Sequence, residues 1–276
     1  MWTNGTLTPF ERPANQASKL FLTEEEAAAV EKQAAERRPN QVRRPGDVGS
    51  DNEAFVDTGY KVTSTRQTSL VVDPPDGRVV MLPAAEKQRD HNLNSVDSYE
   101  SMSPWDRCIT RGPGGLFPAA YNNAYQITQT RDYVVITSEM IHEARIIPLD
   151  NRRHLPAAVR SWSGDSVGHW EGVTLVVDTT NFHDKGWITT HASSGRLRGT
   201  AVSTALHMVE RFTRTAASTI LYEATIDDPN AYAKPWTVRV PMTLDNGYQM
   251  FEYACHEGNQ AVGNILRGAR VQESLK

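Results

Sequence analysis

The stretch from Ser166 to Phe182, SVGHWEGVTLVVDTTNF, decides the fold. Two runs rich in Val, Thr and aromatic residues flank Glu171-Gly172, so the stretch predicts a β-hairpin with a tight turn. Similar short runs lie close together on both sides of it, which favours an antiparallel meander that curls into a barrel or sandwich. They are Tyr125 to Thr130, Tyr133 to Met140, Arg145 to Leu149, His207 to Arg214, Thr219 to Ile226, Trp236 to Pro241 and Tyr248 to Cys255.

The N-terminal part has a different character. Thr23 precedes three glutamates in a capping-box pattern, which predicts a surface helix from Thr23 to about Arg38. The polar stretch at 40–54 reads as a connector. We therefore expect an N-terminal helical arm over residues 1–58 and an antiparallel β-barrel domain over residues 59–276. Within the latter, Ser69 to Leu82 predicts a hairpin around Pro74-Pro75, and Ala84 to Asn92 a short helix.

Composition limits the possible partners. The 276-residue chain has a formal net charge of −4 and no basic block, which argues against a nucleic-acid partner. No apolar run approaches the ~18 residues of a membrane-spanning helix. The opening MWTNGTLTPFERP also lacks the charged and apolar regions of a signal peptide. We expect a soluble protein without membrane insertion whose signal peptide, if it is exported, has been removed.

Gly164 to Gly168 matches the GxSxG pattern of serine hydrolases, which requires a strand, a sharp turn at the serine and then a helix. Here Ser166 leads instead into a turn and a second strand. The pattern therefore indicates a structural role.

Cysteines and histidines give little support for a metal or another cofactor. Cys108 and Cys255 are the only cysteines and lie outside any CxxC motif, so they form either one disulfide or two buried thiols. No HExxH motif or closely spaced histidine pair is present. We predict no metal and no cofactor, although ligands that converge from different strands remain an alternative.

Carboxylates on strand faces that otherwise look buried suggest a site. Glu139, Glu210 and Glu252 each share a strand face with apolar residues. A carboxylate on a core face is costly unless it is paired or lines a wet cavity, so a barrel cavity is one interpretation. The alternative is that these faces point to solvent and that nearby arginines pair with the carboxylates. The cavity predicts catalytic residues His142, Glu139, Arg145, His169 and Tyr121, and ligand-binding residues Asn123, Tyr125, Glu210, Glu252 and His256.

Several sequence segments resemble those of a little-characterised bacterial family of exported proteins. They are SLVVDPPDGRVV (Ser69 to Val80), YNNAYQI (Tyr121 to Ile127), EMIHEARIIPLD (Glu139 to Asp150), GDSVGHWEGVTLVVDTTNF (Gly164 to Phe182), VERFTR (Val209 to Arg214) and YACHEGN (Tyr253 to Asn259). The resemblance implies a periplasmic or secreted location and a disulfide between Cys108 and Cys255. The pattern around Trp170-Glu171-Gly172 is also similar to lipocalin-like (calycin-type) barrels. Val173 departs from the family, in which an aspartate is usual in this turn.

Three functions fit these observations. The first is an exported enzyme, a lyase, isomerase or hydrolase, that uses metal-independent acid/base chemistry on a small hydroxylated aromatic or sugar-like molecule. In this enzyme His142 transfers the proton, Glu139 orients the His142 side chain, and Arg145 holds an anionic group. The second is a periplasmic carrier that binds its ligand without chemistry. The third is an interaction protein whose arm, Trp2 to Phe21, docks on a second subunit to form a homo-oligomer.

Overall fold

A computed structural model describes residues 1–37 and 57–275. The predicted antiparallel β fold is confirmed: nine of its strands form a nearly closed barrel. The strands are β1 (Trp2–Thr3), β2 (Val71–Asp73), β3 (Ala124–Gln129), β4 (Tyr133–Ser138), β5 (Ala144–Pro148), β6 (Asp165–Glu171), β7 (Thr174–Thr180), β8 (His207–Ala216), β9 (Thr219–Asp227) and β10 (Trp236–Leu244). The α-helices are α1 (Glu24–Arg37), α2 (Pro83–Asn94) and α3 (Ala261–Ser274).

The barrel follows the order β5-β4-β3-β1-β10-β9-β8-β7-β6, with β2 paired to β10 outside this path. β5 and β6 lie beside each other at the seam. The hairpin predicted at Ser166 to Phe182 is β6 and β7, in which Glu171 pairs with Thr174. Gly172 has a φ of +60° in the turn, a conformation that glycine adopts without the steric cost of a side chain.

Alternating burial shows which residues face the barrel interior. Along β9, and along β8 up to Phe212 and β10 up to Met242, every second residue is buried, as a two-residue strand period requires. Large side chains such as Tyr125, Tyr222 and Trp236 are almost fully buried. The interior is therefore packed with side chains over most of its length.

The N-terminus belongs to the barrel. β1 pairs with β3 on one side and with β10 on the other, although it lies in the segment predicted to be an arm. The helix prediction is confirmed by α1, where the Thr23 hydroxyl accepts from Glu26 N–H and the Glu26 carboxylate from Thr23 N–H. A separate helical arm is not evident, and the predicted connector at 40–54 lies outside the described residues. Docking of Trp2 to Phe21 on a second subunit stays a prediction.

Two expected strands are absent from the described chain. Between Arg78 and Leu82 only Met81 forms an isolated bridge. Tyr248 to Cys255 is not a strand: the Asp245 side chain accepts from the N–H groups of Gly247 and Tyr248, which turns the chain away from the sheet after β10. Backbone groups of this segment bond to side chains instead of a neighbouring strand, which the sequence pattern did not reveal.

Two further predictions concern helices and cysteines. The short helix at Ala84 to Asn92 is confirmed by α2, whereas α3 was not predicted. Cys108 and Cys255 form a disulfide, which agrees with the pairing that the family resemblance implies. Among the described residues, no helix has the length and apolar character needed to cross a bilayer.

Candidate ligand-binding site

The barrel interior contains a closed ionic network. The Arg145 guanidinium pairs with both carboxylate oxygens of Glu210, with Nη1 to Oε2 at 2.7 Å and Nη2 to Oε1 at 3.0 Å. The Tyr222 hydroxyl donates to Glu210 Oε1 at 2.9 Å. Burial and the neighbouring Glu210 charge raise the pKa of Tyr222 well above its ordinary value. The carboxylate predicted to mark a cavity is thus paired with Arg145, although its buried Oε2 makes this ion pair without a hydrogen bond.

A small cavity of about 50 Å³ lies beside this network. Arg111, Tyr125, Ser138, Glu143 and Arg145 are among its lining residues. A water molecule needs roughly 10–15 Å³ of such space, so the cavity has room for a few waters and not for a sugar or an aromatic ring. The barrel interior is therefore an unsuitable place for the predicted ligand.

A larger pocket of about 680 Å³ lies outside the barrel interior, within the size range typical of small-molecule sites. We call it the aromatic pocket. It is formed by the loop after α2, the residues before β3, the loop around His191 and the segment that follows β10. Its lining residues are Trp105, Asp106, Ala120, Tyr121, His191, Glu252, Tyr253, Ala254, Cys255, Glu257, Gly258, Asn259 and Ala261.

Four rings form the walls of the aromatic pocket. The Trp105 ring lies 5.3 Å from His191 and 6.0 Å from Tyr121, measured between centroids. Tyr253 meets Tyr121 edge to face at 6.1 Å. The Trp105 indole N–H donates to the Met140 sulfur, which fixes the ring in its orientation. All four side chains are half-buried, so each ring packs against its neighbours while part of its surface stays accessible.

His191 is neutral and its tautomer follows from its contacts. Nδ1 accepts the backbone N–H of Ser193 at 3.1 Å, so the ring proton is on Nε2. None of the described residues hydrogen-bonds Nε2. Burial, followed by the charges of Arg111 and Arg198, lowers the pKa of His191 from 6.5 to about 4. At neutral pH the pocket is therefore lined by an imidazole that carries no charge and is able to donate one hydrogen bond through Nε2.

The segment after β10 is held in place by covalent and polar contacts. Cys255 is bonded to Cys108, and the Asn259 amide donates to the Asp106 carbonyl at 3.1 Å. The buried Glu139 carboxylate accepts from the Tyr248 hydroxyl and from Phe251 N–H, both at 2.8 Å. These contacts fix one wall of the pocket although the segment has no strand or helix until α3.

The structure places the predicted catalytic residues in several locations. Tyr121 lines the aromatic pocket, and Arg145 lies inside the barrel. Glu139 lies after the end of β4 and anchors the C-terminal segment, so it is not on a strand face as expected. His142 is exposed, and it follows Ile141, whose φ of +64° is unusual for a β-branched residue. His169 is exposed on β6 and contacts Glu171.

The predicted ligand-binding residues are divided in the same way. Glu252 lines the aromatic pocket, and His256 is exposed in the same segment. Asn123 is buried and its side chain bonds to Ala119 and to the Asp57 carbonyl, which is a structural role. Tyr125 and Glu210 face the barrel interior. The structure therefore places Tyr121 with Glu252 in the aromatic pocket and Arg145 with Tyr125 and Glu210 inside the barrel, so the predicted set is divided and the assigned roles stay predictions.

Sequence reasoning missed Trp105 and His191. Trp105 lies in the long glycine-containing segment between α2 and β3, whose length was itself a signal of function. His191 lies in a loop, next to a 3-10 helix at Ala192–Leu197. No local pattern distinguishes it, because its lowered pKa results mainly from burial in the folded protein, followed by the charges of Arg111 and Arg198.

Comparison with known proteins adds no assignment. No family model matches the sequence, and neither a curated protein nor a solved structure shows significant similarity to it.

Proposed function

We propose that this protein binds a small hydroxylated organic molecule in the aromatic pocket. The observation that carries the proposal is the neutral His191, which lines a pocket with aromatic walls and makes no hydrogen bond through Nε2 to any of the described residues. Such a donor suits a hydroxyl or carbonyl oxygen, while the rings suit an apolar or planar body. A carrier that binds its ligand through this donor and these rings needs no functional side chain inside the barrel.

His191 is better suited to donation than to general-base catalysis. A general base needs a free lone pair at the pocket side of its ring. In His191 the only lone pair of the neutral ring, on Nδ1, already accepts the Ser193 N–H. The geometry thus favours binding over proton abstraction by this residue.

A second candidate is the acid/base enzyme, a lyase or isomerase. The observation that favours it is the Glu252 carboxylate, which lines the same pocket as the uncharged His191 donor. A carboxylate base opposite a neutral imidazole that polarises an oxygen is a workable pair for moving a proton next to a carbonyl. In this version Glu252 takes the role of the base and His191 that of the hydrogen-bond donor.

An oxidising compartment, such as the periplasm, is part of the proposal. The Cys108–Cys255 disulfide supports it, because such bonds persist mainly in exported proteins.

Binding is tested with tyrosol, a neutral phenol with an alcohol side chain, by isothermal titration calorimetry. We expect saturable binding to the wild type and at least a tenfold weaker affinity in Trp105→Leu. Trp170→Leu is the matched control, since Trp170 is an exposed tryptophan on β6 outside the pocket, and it should bind like the wild type. Equal loss in both variants contradicts the proposal, and so does absence of binding to the wild type by tyrosol and by its amine and carboxylate analogues.

A turnover assay distinguishes the carrier from the acid/base enzyme. If the protein is an enzyme, Glu252→Gln loses turnover of any substrate found by screening and keeps most of its affinity for that substrate. A bound molecule that is recovered chemically unchanged after long incubation supports the carrier.

A further inference from the structure

We infer that the aromatic pocket selects an organic cation, namely a hydroxylated ammonium compound. The inference rests on the proposed function and specifies the charge of its ligand. It replaces the anionic group that the sequence associated with Arg145, whose guanidinium is paired with Glu210 inside the barrel.

The charged residues that line the pocket have one sign. Three acidic residues line it, Asp106, Glu252 and Glu257, and no lysine or arginine belongs to the described lining. An anionic ligand in this place would be repelled by all three carboxylates, whereas an ammonium group would be attracted by each of them.

The nearest arginines act on the pocket from outside its lining. Arg111 is close enough to lower the pKa of His191, and its guanidinium is buried against other residues. Nη1 donates to the Asn122 carbonyl at 2.9 Å and contacts the Tyr125 hydroxyl at 3.3 Å. Neither Arg111 nor Arg198 lines the pocket.

Aromatic walls add a second attraction for the same charge. The faces of Trp and Tyr rings carry negative potential and attract ammonium groups within about 6 Å of the ring centroid. Trp105, Tyr121 and Tyr253 lie side by side, and the Tyr121 and Tyr253 planes differ by 85°. Differently inclined rings of this kind form a concave surface that contacts a cation from more than one direction.

The state of His191 is compatible with a cation. A protonated imidazole would repel an ammonium group, but the pKa of His191 is lowered to about 4, mainly by burial, so the ring stays uncharged at neutral pH. Its Nε2–H then serves an oxygen of the ligand. The site thus offers one donor for a hydroxyl and an acidic, aromatic surface for an amine.

Three compounds that share one phenol ring test the charge. Tyramine carries an ammonium group, tyrosol a neutral alcohol and 4-hydroxyphenylacetate a carboxylate. At neutral pH and low salt we expect tyramine to bind about five- to thirtyfold more tightly than tyrosol, the range of one to two such cation contacts. We expect 4-hydroxyphenylacetate to bind most weakly.

Variants identify the source of the preference. Glu252→Gln should reduce the ratio of tyramine to tyrosol affinity by about two- to fivefold, as expected for an exposed charge pair. Glu24→Gln, an exposed glutamate at the start of α1, should leave the ratio unchanged. Trp105→Leu should weaken tyramine more than tyrosol.

The outcomes distinguish a failure of the charge preference from a failure of the proposed function. If tyrosol or 4-hydroxyphenylacetate binds as tightly as tyramine, the charge preference is refuted and the pocket remains a binding site. If none of the three binds to the wild type, both the charge preference and the proposed function are refuted.

Discussion

Replacing both disulfide cysteines with alanine should lower the stability of the protein and loosen one wall of the aromatic pocket. The bond joins residues separated by 147 positions. The loop-closure relation gives about 5 kcal/mol of stabilisation for a loop of this length, while measured values for most disulfides are about 2–4 kcal/mol. We therefore expect Cys108→Ala/Cys255→Ala to lose about 2–5 kcal/mol of unfolding free energy.

The effect on the pocket is expected to be local and separable from global stability. Cys255 is next to Ala254 and two positions from Tyr253, both of which line the pocket, and this stretch has no strand or helix to hold it. Without the bond, only non-covalent contacts, such as those made by Glu139 and Asn259, hold the segment. Amide hydrogen exchange in Tyr248 to Asn259 should accelerate, and ligand affinity should fall.

Urea unfolding monitored by tryptophan fluorescence measures the first effect, with the wild type, the double variant and the reduced wild type compared under equal conditions. The single variants are avoided because each leaves a reactive thiol. A loss below about 1 kcal/mol together with unchanged exchange in Tyr248 to Asn259 would contradict the reasoning, since both effects have the same cause.

Three other perturbations test separate parts of the structure. Arg145→Met leaves the Glu210 carboxylate buried without its counter-ion and should cost about 3 kcal/mol in urea unfolding, most of which Arg145→Met/Glu210→Leu should recover. The pKa of His191 is lowered from 6.5 to about 4, so between these pH values the unfolded chain binds a proton that the folded chain does not. The free energy of unfolding is therefore highest, with respect to this group, above pH 6.5 and decreases as the pH falls towards 4. His191→Gln should remove that part of the pH dependence in unfolding experiments at several pH values. Glu139→Gln weakens the contacts to the segment after β10 and should cost about 1–2 kcal/mol, with faster amide exchange there and little change in β8.

The sequence was a good guide to the fold where two-residue alternation decides it. β8 to β10 follow this pattern over most of their length, because one face of each strand packs inside the barrel, and the turn at Glu171-Gly172 between β6 and β7 has the residues that its geometry needs. The pattern failed at Tyr248 to Cys255, where aromatic residues resemble a strand but pack against side chains. Burial of Glu139 by Tyr248 and Phe251 could not be predicted, since more than a hundred residues separate them.

The site was predicted less well because its polar residues occur in two environments that look alike in sequence. Glu210 and Glu252 both alternate with apolar residues, yet Glu210 is fully buried against Arg145, whereas Glu252 is exposed in the aromatic pocket. Alternation shows that a side chain shares a face with apolar neighbours. It does not reveal whether an arginine from another strand lies within reach.

The filled barrel explains why the pocket lies in the loops. Side chains as large as Tyr222 and Trp236 occupy the interior, and the Arg145–Glu210 pair uses the charges that a ligand would need there. A ligand is therefore better accommodated by the connections, which can change shape without disturbing the sheet. Connections lack the rigidity of strands, and here the Cys108–Cys255 bond and the Glu139 carboxylate supply it. Loss of either contact should thus weaken binding before it disturbs the barrel.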